Sequence, residues 1–63
     1  MDREKSLKVL LGTIDANARK LHEIVDGLDN ADIEKAKVYC DIVRLRAVEM
    51  LYHFREMQKE ASN

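Results

Sequence analysis

Two histidines, one cysteine and a cluster of basic residues are the side chains in this 63-residue chain that could do chemistry beyond folding. His22 and His53 could ligate a metal or move a proton. If the chain folds back on itself, however, the two rings stand about two heptads apart, roughly 20 Å at 1.5 Å per residue, too far to share an ion. Both are expected to be solvated, with no metal and no cofactor bound. Cys40 is the single cysteine and cannot close an internal disulfide. No basic group is spaced to hold it as a thiolate, so it reads as a small apolar side chain. There is no Gly-rich phosphate loop, and the segment after Asn30 is acidic, which repels an anion. Catalysis needs groups converging in a water-poor pocket, and no such set is spaced for it, so an enzyme is not expected. Lys35, Lys37, Arg44, Arg46 and Arg55 make the second half locally basic, diluted by Asp41 and Glu49. Doubled by a symmetry axis they could line a nucleic acid. Their methylene stems could equally cover the edges of an apolar seam. Tyr39 and Tyr52 are the only rings that could stack on bases apart from Phe54, and no RNA-recognition motif accompanies them.

The elements that must position these groups are written in the apolar spacing. Leu7, Leu11, Ile14, Ala18, Leu21, Val25 and Leu28 follow a 4-3-4-3-4-3 rhythm, a helical seam. Ile33, Ala36, Cys40, Val43, Ala47, Met50, Phe54, Met57 and Ala61 continue in 3-4 alternation. The spacing predicts an all-α fold in one domain over 1–63, with helix 1 over about 3–26, a turn at 27–30 and helix 2 over about 31–60. Gly27 is expected in the left-handed conformation that ends a helix, and Asp29 or Asn30 as the cap of the next. Asp32 and Glu34 then meet the positive end of the helix dipole. So short a turn folds the helices back antiparallel. Glu4 with Lys8, Asp15 with Arg19 and Glu49 with His53 are spaced as i,i+4 pairs. Gly12 interrupts helix 1, either for close approach of another backbone or as a tolerated exposed residue, and the tail from Glu60 to Asn63 is expected to fray.

Eleven Lys and Arg against twelve Asp and Glu leave a net charge of -1, so no overall positive field draws the chain to nucleic acid or anionic lipid. Unbroken apolar runs stop at three residues, as at Val9 to Leu11, against about 20 for a membrane span. No export signal is visible, and one unpaired thiol suits a reducing compartment, so a cytoplasmic location is expected and no membrane partner.

Folded at the turn, the two seams pair Leu28 with Ile33, Val25 with Ala36, Leu21 with Cys40, Ala18 with Val43, Ile14 with Ala47, Leu11 with Met50 and Leu7 with Phe54. Four of these layers join a large residue to a small one, which suits a four-helix bundle where a second hairpin supplies the complementary pair. The energetics agree. Burial in a compact 7.3 kDa monomer is worth on the order of 95 kcal/mol, and ordering 63 residues costs on the order of 95 kcal/mol, so a lone chain is marginal. The expected assembly is a homodimer of antiparallel helical hairpins, with those fourteen residues as its core. Helix 2 also carries Val38, Ile42, Leu45, Val48 and Tyr52, turned largely away from the first seam. A broad bundle interface could absorb part of this strip, a partner protein could dock on it, or dimers could pair into tetramers.

The Leu21 with Cys40 and Ile14 with Ala47 layers, the Leu28-Asp29 turn and the chain length resemble the Rop family of plasmid copy-control proteins. The likeness covers most of the hairpin. It implies two hairpins dimerised antiparallel, with an RNA-binding face made by the first helices. In that family the face presents an aromatic ring flanked by amide and basic side chains. Here Thr13 stands at the ring position and Asn17 at the amide, with Asp2 and Ile24 where lysines are expected. The chain therefore looks like the architecture without the binding face.

The expected function is that of a small non-enzymatic homodimer acting as a protein-binding adaptor, chaperone or regulator. Val38, Ile42, Leu45, Val48 and Tyr52 would make the contact, with Arg44, Arg46 and Glu49 at its rim. A Rop-like RNA or DNA binder and a structural subunit of a larger assembly are the alternatives.

Overall fold

The computed structural model describes residues 2–62. Helix α1 spans Arg3–Asp26, a 3-10 turn spans Asn30–Asp32, and helix α2 spans Ile33–Ser62. Asp2 starts α1: its backbone is extended, and its carboxylate accepts from the Glu4 N–H at 3.0 Å and the Lys5 N–H at 3.4 Å. Two of the donors that a helix start leaves unpaired are thus satisfied.

The helix ends differently from the expectation. Gly27 has φ -118° and ψ 42°, and no described residue has a positive φ. Its N–H still donates to the Glu23 carbonyl, and the chain then unwinds into extended backbone at Asp29. No sharp reversal is needed at the glycine, because a three-residue 3-10 turn completes the bend. Asp29 takes the capping role, accepting from the Ala31 N–H at 3.3 Å. At the other end α2 continues through Ser62, whose hydroxyl donates to the Gln58 carbonyl, so the turn expected to fray is helical to that point; Asn63 lies outside the described residues. A Cβ on Gly12 would meet nothing within 4 Å, which removes close backbone approach within the hairpin as its reason.

The two helices pack side by side as an antiparallel hairpin measuring 51 × 15 × 15 Å. Only Leu10, at 8% exposure, is buried among the described residues. The half-buried line of closest approach runs through Leu7, Ile14, Asn17 and Leu21 on α1 and Tyr39, Val43, Arg46, Met50 and His53 on α2. The heptad seam does not coincide with it. Leu7, Ile14, Ala18, Leu21, Ala36, Val43 and Met50 are half-buried, whereas Leu11, Val25, Leu28, Ile33, Cys40, Ala47 and Phe54 are exposed. At about 100° per residue the seam is turned roughly 50–70° toward one flank of the hairpin. A helix with one neighbour points its stripe straight at that neighbour. A helix in a square bundle points it about 45° to the side, at the shared axis.

Candidate functional site

Three surfaces come from this geometry. The first is the flank on which the seven exposed seam residues stand together with Leu51 and Met57. Val25 is 64% exposed and Phe54 48%. Cys40 lies here too and is exposed, contrary to a thiol buried opposite Leu21; the hairpin leaves its side of that layer open.

The opposite flank carries the polar contacts between the helices. Lys5, Ser6, Val9 and Leu10 of α1 and Arg46, Glu49 and His53 of α2 line a shallow groove there. Arg46 reaches Glu49 through Nη1 at 3.0 Å, while its Nε is buried and meets no partner among the described residues. Nearer the open end, Arg3 ties the helices together: Nε pairs with the Glu60 carboxylate at 3.1 Å and Nη1 sits 3.0 Å from His53 Nδ1. A guanidinium can only donate, so His53 Nδ1 accepts here. His53 is therefore half-buried and engaged, not merely hydrated as expected, and it does not pair with Glu49. Asp15 and Arg19 make no ion pair among the described residues, whereas Glu4 and Lys8 do, at 3.3 Å. Thr13 and Asn17 are half-buried, and each donates to its own helix, Thr13 to the Val9 carbonyl and Asn17 to the Thr13 carbonyl at 2.7 Å.

The third surface is the outer side of α2. Val38, Leu45, Val48 and Tyr52 are exposed, Tyr52 at 58%. Ile42 is half-buried against α1 and Arg46 lines the polar groove, so the strip is narrower than its sequence spacing suggests. Its cations are neutralised locally: Lys37 pairs with Glu34, Arg44 with Asp41 and Lys59 with Glu56, each at 3.1–3.3 Å. That ladder of exposed i,i+3 pairs leaves little positive field along α2.

No protein-family model, curated protein or solved structure matches the chain. The two-helix hairpin stands on its own structure. No described helix is long and apolar enough to cross a membrane. His22 and His53 are not brought together, and no described cluster of three or more His, Cys, Asp or Glu side chains could hold a metal ion. Sequence reasoning missed Leu10, the one buried side chain among the described residues, and the Asp2 cap. Asp2 had a readable signal, an aspartate one residue before the first helical turn.

Proposed function

We propose that the chain is a non-enzymatic protein-binding module that works as a homodimeric four-helix bundle. Its large apolar side chains stand exposed in two separate places, and that observation carries the reading. A second hairpin would cover the seam flank, leaving Val38, Leu45, Val48 and Tyr52 on the outside for a partner protein.

Area supports the first half. The chain exposes 5136 Å², against the roughly 4,200 Å² of a compact monomer of its mass. The excess of about 1,000 Å² resembles the ~800 Å² per partner that a standard stable interface removes from water. Leaving it wet forgoes on the order of 10 kcal/mol of apolar burial, as much as a small domain's entire stability. From the Rop resemblance the proposal takes only the pairing of hairpins. The RNA-binding alternative is disfavoured because Thr13 and Asn17 bond to their own helix and because Lys37, Arg44, Arg46 and Lys59 of α2 are each paired with an acid of the same helix. Sedimentation over a concentration series tests the dimer: a folded monomer at every concentration would overturn it. Leu45→Glu with Tyr52→Glu tests the outer strip. The double variant is expected to remain a dimer and to lose capture of partner protein from nuclease-treated lysate, and capture undiminished would remove the strip's role.

A further inference from the structure

We infer that the second copy lies with its turn at the same end as the first, so that α1 of each hairpin packs along α2 of the other. This rests on the proposed dimer and concerns which of its two symmetric arrangements the chain adopts. A two-fold axis along the helices sets turn beside turn and α1 on the partner's α2. An axis across the helices sets the turns at opposite ends, with α1 on α1 and α2 on α2.

The charges bordering the seam flank separate the two. At about 100° per residue, the outer border of the flank carries Glu4, Asp15 and Asp26 on α1, and Lys37, Arg44 and Arg55 on α2. All six are exposed. On α2 the nearest anions, Glu34 and Asp41, stand farther round the helix and are held by Lys37 and Arg44. Leu7 lies level with Phe54 and Ile14 with Ala47, so each α1 anion falls within about two residues, or ~3 Å, of the level of one α2 cation. Glu4 matches Arg55, Asp15 matches Arg44, and Asp26 matches Lys37.

In the same-end arrangement these become pairs between copies, three on each border. Between the anions stand two cations, Lys8, which shares Glu4 within its helix, and Arg19, which falls level with the partner's Asp41, itself paired with Arg44. Each contact joins a group with no ion pair in its own chain among the described residues, Arg55, Asp15 or Asp26, to one already paired there, Glu4, Arg44 or Lys37, so an intrachain pair is extended into a network across the interface. In the opposite-end arrangement, the one the Rop resemblance implies, Asp15 faces its own copy, Glu4 approaches Asp26, and Lys37 approaches Arg55. Like charge then meets like on both borders. An exposed pair shifts an equilibrium about 1.5- to fivefold, and six act together.

Packing permits this choice. In the layers Leu21 with Cys40 and Ile14 with Ala47, setting α1 over the partner's α2 alternates large and small around the ring of four helices.

The full chain with Cys40→Ala and Asn30→Cys, spin-labelled at the turn, tests the proposal by the distance between the two labels. The same-end dimer is expected to give a separation under about 25 Å, since neighbouring helices lie 8–10 Å apart. A separation approaching the 51 Å length of the hairpin, in a species that sediments as a dimer, would overturn the orientation and leave the dimer standing. Sedimentation as a monomer or a tetramer would overturn the dimer and the orientation with it. Arg44→Asp supplies an independent sign. It is expected to weaken dimerisation roughly tenfold, with Asp15→Arg restoring it in the double variant. Tighter dimerisation by Arg44→Asp alone is what opposite ends would give, and would overturn the proposal.

Discussion

The two flanks of the hairpin are made by the same two helices and are held in opposite ways. On the polar flank the helices contact each other through long side chains: Arg3 joins His53 and Glu60, and Arg46 lies along the groove. The seam flank carries the larger share of the apolar residues, yet seven of its fourteen seam positions are exposed. The difference teaches that an apolar stripe need not face the nearest neighbour in sequence; on the proposed pairing it marks the centre of the assembly instead.

Substitutions at contrasting positions break or sharpen that contrast. Phe54→Ala on the seam flank is expected to have the largest effect, about 3 kcal/mol or more in urea unfolding, because a second copy would bury the ring. A loss near 1 kcal/mol would mean that the ring stays wet and the flanks are equivalent. Arg3→Met removes both contacts across the open end. It is expected to cost about 1 kcal/mol in thermal unfolding and to raise amide exchange in the first turns of α1, equally at high and low protein concentration. Gly12→Ala lies off both flanks in open space and is expected to stabilise by up to about 1 kcal/mol through helix propensity, read from the denaturant midpoint. The smallest change in stability, within about 0.5 kcal/mol, is expected for Leu45→Glu on the outer side of α2, where the side chain is already 53% exposed.

The two helices, the limits of α1 and the antiparallel return were legible in the sequence because two uninterrupted 4-3 rhythms flank one glycine, whereas α2, expected over about 31–60, runs over Ile33–Ser62 after a 3-10 turn. The rotation of the seam was not. Periodicity shows that residues share a stripe but carries no information about which neighbour the stripe faces. Leu10 escaped for that reason: it belongs to no heptad seam, yet it points straight at α2. His53 escaped because its partner, Arg3, is fifty residues away, and no local spacing reports a contact set by the fold-back. Cys40 was placed on a stripe that the hairpin alone leaves exposed, since within one chain its layer closes on one side only. The outer strip was read too broadly, because Ile42 stands about 60° round the helix from Leu45, on the side nearer α1, and is half-buried there.

One side chain shielded from water has a consequence for dosage. On the proposed pairing, acquiring structure is a second-order event, so at low abundance the working form rises with the square of the number of chains synthesised. Halving expression would then leave about a quarter of it, and the remainder would be open to proteolysis. Such a chain would meter its own supply, idle when scarce and active above a threshold, with no ligand to report the count.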